Sequence, residues 1–233
     1  MAGGFDVAFL DREMCGTEIV SMRFERPDGY SYAPGQWFRL NLETADGLRA
    51  ETFSHASAPS DPFLQLTTRV TGSPYKRALM ALAPGTRVNI NGPGGRLALH
   101  DEVARVAFLV GGIGITPVRS MLRDAKARGR RFADALLLYG NRDDSCAPFL
   151  GELAAMTDIG VRVAVCYETP PPGWLGEAGF ITAEMVRRHV DAADGRPFYV
   201  TGPPVMVAAM ERVLDELGTT DDRRVIERFT PNV

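Results

Sequence analysis

A glycine-rich stretch that follows an apolar run could bind an anionic ligand. Residues 110–117 read VGGIGITP, in which three glycines precede the predicted start of a helix: Gly111, Gly112 and Gly114, then Thr116 and Pro117. Glycine lets backbone N–H groups approach a ligand, and a helix N-terminus favours negative charge. The stretch therefore indicates an anion site. Because Pro117 replaces the third glycine of the usual dinucleotide fingerprint, a tight turn without a ligand remains the alternative.

A second strand-to-helix turn has the same layout later in the chain. Thr201-Gly202-Pro203 follows an apolar run, and Met206 lies in the next predicted helix. Ligands of parallel sheets bind at the carboxyl ends of the strands, so two such turns can face the same crevice. By itself, this turn is equally well explained as a connector.

Two cations fall in the first turn of a short predicted helix. Ser73 is a suitable N-cap, Lys76 and Arg77 follow it, and Arg69 lies just upstream. A cation at a helix N-terminus costs a few tenths to about 1 kcal/mol, and an anionic ligand there would reverse the sign. The pattern indicates a phosphate site, unless Lys76 and Arg77 simply point into solvent.

The segment Phe53–Ser57 combines an aromatic ring with small hydroxyl side chains. Phe53 could stack on a flat heteroaromatic ring, while Ser54 and Ser57 donate hydrogen bonds to it. An ordinary strand of a sheet is the alternative explanation.

Short strands separated by turn residues make up the chain as far as Asn91. Turn signals such as Pro34-Gly35 and Asp46-Gly47 separate them, and one helix begins after Ser73. This pattern predicts a six-stranded antiparallel β-barrel. The predicted strands are Asp6–Leu10, Glu18–Arg26, Gln36–Leu42, Phe63–Val70 and Arg87–Asn91, with one more between Asp46-Gly47 and Ser54.

After Asp101, strands alternate with helices. Val106–Val110 is a continuous apolar run, as expected of a parallel strand buried on both faces. The alternation predicts an α/β domain with a five-stranded parallel sheet, and thus two domains, residues 1–100 and 101–233. The predicted strands are Val106–Val110, Ala135–Tyr139, Val161–Val165, Phe198–Thr201 and Arg224–Arg228, and the later helices are Pro148–Met156, Ala183–His189 and Val205–Leu217.

Composition argues against several classes of protein. A net charge of -3 gives no indication of a nucleic-acid partner. Three separated cysteines (Cys15, Cys146 and Cys166) do not suffice for an iron–sulfur cluster or a disulfide framework, so we expect a cytoplasmic protein. The three histidines form no metal-ligand pattern, and we expect neither a signal peptide nor a membrane span.

Taken in order, these motifs resemble those of the ferredoxin–NADP reductase superfamily. Thr52–Ser57 resembles the flavin-binding R-x-Y-S-x-x-S segment, and Gly111–Pro117 closely resembles the G-G-x-G-x-T-P nicotinamide-nucleotide loop. Thr201-Gly202-Pro203 resembles the C-G-P turn of the family. The resemblance covers nearly the whole chain, and its remaining motifs are Pro34–Trp37, Asn91–Gly95 and Glu227–Phe229.

The resemblance implies a flavin-binding barrel followed by a nicotinamide-nucleotide domain. It places Ser54 near flavin N5 and implies catalytic roles for Ser54, Thr201 and Glu227. The FAD-binding residues it implies are Phe53, Ser54, His55, Ser57, Arg69, Val70, Gly72, Ser73 and Lys76, with Phe229 either covering the flavin or merely packing. The nucleotide-binding residues it implies are Gly111, Gly112, Gly114, Thr116, Pro117, Asn141, Arg142, Thr201, Gly202, Pro203 and Met206.

Two positions depart from the family pattern. Glu51 stands where the flavin arginine is expected, and a carboxylate would repel a pyrophosphate. Arg49 could substitute, because residues two apart share a face of a strand, or Lys76 and Arg77 could carry the charge alone. We therefore expect weak retention of FAD. Thr201 replaces the family cysteine, which should slow hydride transfer more than stop it.

The resemblance implies a reductase that passes electrons from NAD(P)H through FAD to a redox protein such as a ferredoxin, to haem or to a small acceptor. Arg142 beside the adenosine ribose favours NADPH, although Asp143 and Asp144 weaken this preference. The alternative is a non-enzymatic nucleotide-binding or docking subunit in which Glu51 has abolished flavin binding.

Overall fold

A computed structural model describes residues 4–229 of the chain. The chain divides into two compact units. The first contains the residues up to Ala98 together with Thr116–Asp124, and the second contains Leu99–Ile115 and the residues from Ala125 onward. Each unit is built around its own sheet.

The first unit contains a six-stranded antiparallel sheet. Its strands are β1 (Phe5–Gly16), β2 (Ile19–Glu25), β3 (Trp37–Thr44), β4 (Gly47–Ser54), β5 (Phe63–Arg69) and β6 (Arg87–Gly94). They lie in the order β4-β3-β6-β1-β2-β5. All six strands contribute side chains to one apolar core. Just beyond β4, the Ala56 N–H donates to the Gln65 carbonyl of β5 over 2.8 Å, so the edge strands approach each other as in a closed barrel.

One helix, α1 (Pro74–Ala81), belongs to the same unit. It begins where the sequence predicts, because the Ser73 side chain accepts a hydrogen bond from the Lys76 backbone N–H and Pro74 takes the first helical position. Tyr75 and Leu79 bury their side chains in the core of the sheet. Burial of this face fixes the direction in which the other side chains of α1 point.

The second unit contains a six-stranded parallel sheet with the order β10-β9-β8-β7-β11-β12. Its strands are β7 (Arg105–Gly111), β8 (Asp134–Asn141), β9 (Val161–Tyr167), β10 (Glu177–Ala178), β11 (Phe198–Gly202) and β12 (Arg224–Arg228). The helices that follow α1 along the chain are α2 (Ile115–Ala127), α3 (Leu150–Ala154), α4 (Ala183–His189) and α5 (Pro204–Glu216). The α4 and α5 helices pack on this sheet through an apolar core that includes Val186, Val207 and Met210.

The prediction of five strands in the parallel sheet is wrong, because there are six. The additional strand, β10, is two residues long and pairs with Cys166 and Tyr167 of β9. Two residues are too short to show a periodic pattern of apolar side chains, so the sequence gives no signal for it.

Two other elements differ from their predicted bounds. β1 extends to Gly16 instead of Leu10, because Asp11–Glu13 pair with β2 although their charged side chains face solvent. The helix predicted over Pro148–Met156 is shorter, and a 3₁₀ turn over Met156–Ile159 follows it.

Residues 4–229 include no helix with the length and apolar composition needed to cross a bilayer. Over the same range, no three His, Cys, Asp or Glu side chains are arranged to hold a metal ion. Cys15, Cys146 and Cys166 are free thiols.

Candidate functional site

The glycine turn after β7 is open on one side and tightly packed on the other. Gly112 has a φ of +51°, and apart from its own chain neighbours no described residue has an atom within 4 Å of the position that a Cβ would take there. At Gly114, a Cβ would lie 2.3 Å from the Thr201 carbonyl oxygen. The backbone at Gly112 is thus accessible to a ligand, whereas Gly114 is required for close packing.

The turn after β11 packs directly against this glycine turn. The Thr201 hydroxyl donates to the Gly114 carbonyl over 2.8 Å, and Thr201 is completely buried. A Cβ at Gly202 would lie 3.4 Å from the Gly111 nitrogen and 3.1 Å from the Met206 sulfur. Two turns that were recognised separately in the sequence therefore form one cluster at the carboxyl ends of β7 and β11.

The hydroxyl of Thr201 is already engaged within this cluster. Its donor bonds to Gly114, so the side chain positions the glycine turn. The backbone of the second turn also bonds to the residue that follows β12, because the Phe229 N–H donates to the Gly202 carbonyl over 2.9 Å. Pro203 precedes α5 in an extended conformation.

Glu227 lies beside Thr201 in the register of β12 with β11. Its Oε2 atom is buried and has no hydrogen-bond partner in the part of the chain that the structure describes. Burial raises the pKa of this carboxyl to about 7. A carboxyl group with this pKa can both hold and release a proton near neutral pH.

The end of β8 lies next to the same cluster, because Gly140 is the register partner of Gly111. Asn141, the last residue of β8, is 8% exposed, and neither polar atom of its side chain has a hydrogen-bond partner among the described residues. Arg142 follows, with its guanidinium 2.9 Å from Asp143. Asn141 and Arg142 therefore lie at the carboxyl edge of the sheet, because they end and follow β8.

In the first unit, the predicted phosphate site contains an internal ion pair. Lys76 Nζ lies 2.6 Å from Glu51 Oε2, and the two side chains are only 7% and 10% exposed. Lys76 also donates to the Thr68 hydroxyl over 2.9 Å and lies 4.5 Å from the centre of the Phe53 ring. Burial lowers the pKa of Lys76, while the hydrogen bond and charge of Glu51 oppose that shift. The cation near the start of α1 therefore already has an anion.

The other residues of the predicted phosphate site are more exposed. Arg69 lies 3.8 Å from Glu18 with 39% of its side chain exposed, and the Val70 N–H donates to the Glu18 carbonyl. Gly72 has open space at its Cβ position, and the Arg77 side chain donates to the Gly72 carbonyl. Arg69, Gly72 and Ser73 are therefore accessible in a way that Lys76 is not.

The predicted ring-binding segment lies largely in the core. His55 and Ser57 are 0% exposed. Tyr32 stacks on His55 with ring centres 3.7 Å apart and shares a 2.9 Å hydrogen bond with the Ser57 hydroxyl. Burial lowers the pKa of His55 to about 3, so this imidazole is neutral. A ligand outside the core cannot reach these two side chains unless they rearrange.

Ser54 differs from its neighbours in this segment. It is 8% exposed, and its hydroxyl has no hydrogen-bond partner between residues 4 and 229. Phe53 is 6% exposed and packs in the core. Of the predicted ring-binding residues, Ser54 therefore retains an available hydrogen-bonding group.

Sequence reasoning missed the residues that hold this segment in place. Arg119 of α2 donates to the Ala56 carbonyl over 2.6 Å, and Ser120 donates to the Ser57 carbonyl over 2.6 Å. Each partner lies 63 residues away along the chain, so no local pattern could reveal the contact. The adjacent helix residues Thr116 and Pro117 are also buried.

The chain is similar to known proteins over most of its length. Residues 108–212 match the family model described as an oxidoreductase NAD-binding domain. Ferredoxin–NADP reductase B of Sorangium cellulosum is 30% identical over 228 residues, which cover 91% of this chain and 91% of that protein. NADH-cytochrome b5 reductase 1 of Aspergillus terreus is 32% identical over 156 residues, or 63% of this chain.

The fold comparison covers almost the entire chain. A ferredoxin NADP+ reductase from Neisseria gonorrhoeae, solved with bound FAD and NADP, superposes with a TM-score of 0.84 at 18% identity, covering 98% of this chain and 99% of that one. This chain spans 53% of the Aspergillus relative and 39% of the matching component of the Na(+)-translocating NADH-quinone reductase from Idiomarina loihiensis. The match to the Sorangium relative, in contrast, extends over nearly both lengths. The chain therefore belongs to the ferredoxin–NADP reductase superfamily of FAD- and NAD(P)-dependent oxidoreductases.

Proposed function

We propose that this chain takes hydride from NAD(P)H onto a bound FAD and passes electrons to a redox protein, a haem or a small acceptor. The observation that supports this most strongly is the packing of the glycine turn at Gly111–Gly114 against Thr201 and Gly202. Both turns lie at the carboxyl ends of parallel strands, where nucleotides bind in open α/β sheets.

The second unit has residues suited to a nicotinamide nucleotide. The open backbone at Gly112, followed by the N-terminal end of a helix, suits a phosphate group. The buried amide of Asn141 lacks a hydrogen-bond partner among residues 4–229 and could bind a ribose hydroxyl. In this proposal, residues 101–233 form the nucleotide-binding domain.

The first unit fits FAD at its ring end and less well at its phosphate end. The Ser54 hydroxyl is available to a flavin ring nitrogen. Among the described residues, exposed Arg49 has no ion-pair partner, and Arg69 is partly exposed, so both could face a pyrophosphate. Lys76 is already paired with Glu51. In this proposal, residues 1–100 form the flavin domain, and the pair weakens the retention of FAD.

The protein residues bind and orient the cofactors and manage a proton. FAD, when bound, would supply the acceptor for hydride and the ability to release electrons singly. Thr201 fixes the glycine turn through Gly114, while Glu227 holds a proton at a carboxyl whose pKa is about 7. Phe229 is tied to the same turn through its backbone.

The electron acceptor lies outside these residues. Cys15, Cys146 and Cys166 form no metal-binding group within residues 4–229, and an iron–sulfur cluster usually needs four thiolates. The relatives that match are named for cytochrome b5, a quinone and ferredoxin. A separate redox protein such as a ferredoxin is therefore the acceptor we propose, with a small acceptor as the alternative.

Binding of the two cofactors tests the proposal. The purified protein should take up added FAD, with a change in visible flavin absorbance, and should bind NAD+ or NADP+ in a calorimetric titration. If neither nucleotide binds, the proposal is wrong.

The rival function is a non-enzymatic nucleotide-binding subunit. The observation that favours it is the Glu51–Lys76 pair at the expected phosphate site. A protein that binds a nicotinamide nucleotide but fails to bind FAD, even at saturating concentration, would support the rival.

A further inference from the structure

The end of β8 carries a polar side chain that the fold leaves unused. Asn141 is 8% exposed, yet its side-chain nitrogen and oxygen have no hydrogen-bond partner among residues 4–229. Tyr139 lies two residues earlier on the same strand face, and its hydroxyl donates to the Gly112 carbonyl over 3.2 Å. The Asn141 amide therefore lies on the face that borders the glycine turn, and both of its polar atoms are buried there.

The neighbouring Arg142 is held by an acidic partner. Its Nε atom donates to Asp143 Oδ2 over 2.9 Å, and its Nη2 atom lies 3.3 Å from the Cys146 sulfur. Asp143 is itself fixed, because the backbone N–H and the hydroxyl of Ser145 donate to its other oxygen over 3.1 and 2.6 Å. These donors lower the pKa of the Asp143 carboxyl, so it remains charged at neutral pH.

Two further acidic residues lie close to this cation along the backbone. Asp144 follows Asp143, and Glu168 follows β9, with its backbone N–H donating to the Asn141 carbonyl over 3.0 Å. The pKa of Tyr167, the last residue of β9, is raised mainly by burial. The negative charges of Asp144 and Asp143 raise it further. With three acidic residues and one arginine, the segments that follow β8 and β9 carry a net negative charge.

The charge decides between two nucleotides that differ by one phosphate. An adenosine ribose with both hydroxyls can donate to a carboxylate, whereas a 2′-phosphate needs an available arginine and is repelled by carboxylates. We propose that the chain selects NADH over NADPH, with Asp143 as the residue that sets this preference by holding Arg142. This inference rests on the proposed nucleotide-binding function and reverses the preference that Arg142 alone suggested in the sequence.

The test compares NAD+ with NADP+ in calorimetric titrations of the purified protein. The wild type should bind NAD+ at least about tenfold more tightly than NADP+, which corresponds to about 1.4 kcal/mol. Asp143→Asn removes the charge but keeps an oxygen that can accept from Ser145, so the turn should persist. This variant should reduce the ratio of the affinity for NAD+ to the affinity for NADP+ about tenfold, mainly through tighter binding of NADP+.

Two matched variants separate a specific role from a general one. Asp158→Asn removes the same charge before the start of β9, at the opposite edge of the sheet, where Asp158 pairs with Lys126. It should leave the ratio unchanged. Asp143→Glu keeps the charge and should retain the preference for NAD+.

Each outcome has a distinct meaning. Tighter binding of NADP+ to the wild type would overturn the inference while leaving the proposed function intact. Equal weakening of both nucleotides in Asp143→Asn, or the same change in Asp158→Asn, would overturn the role of Asp143. If the wild type binds neither nucleotide, the proposed function itself fails.

Discussion

Replacing Glu51 with glutamine should improve the recognition of a flavin phosphate while destabilising the protein. In the wild type, the Glu51 carboxylate lies 2.6 Å from Lys76 Nζ and neutralises it. Glu51→Gln leaves the lysine charge without a counter-ion from Glu51, so another N–H group of Lys76 could donate to a phosphate. We expect the wild type to prefer FMN to riboflavin, which differ by that phosphate, only to the small extent that exposed Arg49 and Arg69 provide.

The magnitude follows from the burial of the pair. The two side chains are 7% and 10% exposed, and removing one partner of such a pair costs about 3–5 kcal/mol of unfolding free energy. Because glutamine still accepts a hydrogen bond from Lys76, we expect the lower end, about 3 kcal/mol. A new hydrogen bond between Lys76 and a phosphate contributes about 1.5–3 kcal/mol, which corresponds to an increase of roughly 10- to 100-fold in affinity for FMN relative to riboflavin.

The assay has a stability arm and a binding arm. Urea unfolding of Glu51→Gln, Lys76→Met and the double variant should show two destabilised single variants and a double variant closer to the wild type, because the double variant retains neither charge of the pair. Quenching of flavin fluorescence gives the FMN-to-riboflavin affinity ratio, which should rise in Glu51→Gln and fall again in the double variant.

A control variant distinguishes the loss of the Glu51 charge beside Lys76 from a general change in net charge. Glu25→Gln removes one negative charge from the same unit at an exposed ion pair with Arg87, and it should change neither stability nor the ratio appreciably. If Glu51→Gln leaves the ratio as it is in the wild type, Lys76 does not face a flavin phosphate and the placement is wrong.

Two further predictions concern the second unit. Glu227 stays protonated up to about pH 7 in the folded protein but ionises near 4.5 when unfolded, so the unfolding free energy of the wild type should fall by about 3 kcal/mol as the pH rises between these values. Urea unfolding at pH 5 and pH 8 should show this decrease in the wild type, and the decrease should be absent in Glu227→Gln. The same change in unfolding free energy in both proteins would contradict the prediction. Gly114→Ala places a Cβ 2.3 Å from the Thr201 carbonyl, so it should lower the unfolding free energy by about 1–3 kcal/mol or more and weaken nucleotide binding. Gly151→Ala, at a helical position with open space, should be neutral or stabilising in the same assay, and similar losses in both variants would refute the packing argument.

Local chemistry explains why parts of the fold were predictable. Ser73 and Pro74 mark the start of α1, because capping depends only on adjacent residues. Likewise, the apolar run Val106–Val110 is buried throughout, as a parallel strand requires. Alternation of such strands with helices then predicts the architecture, whereas the two-residue strand β10 has no pattern to detect.

The site was less predictable, because its residues act through distant partners. Glu51 and Lys76 are 25 residues apart, and the packing of α1 on β3, the neighbour of β4, brings them together. The sequence therefore predicts a phosphate site but not the carboxylate that fills it. For the same reason, the resemblance indicates that His55 and Ser57 contact the flavin, whereas Tyr32 holds both in the core.

Reduction of the FAD-loaded protein by NADH is the most direct test of the central proposal, that the chain takes hydride from a nicotinamide nucleotide onto FAD. In anaerobic rapid mixing, the visible flavin absorbance should disappear after NADH is added. NADPH at the same concentration should reduce the flavin more slowly. Unchanged flavin absorbance in protein that demonstrably binds both FAD and NAD+ would contradict the account.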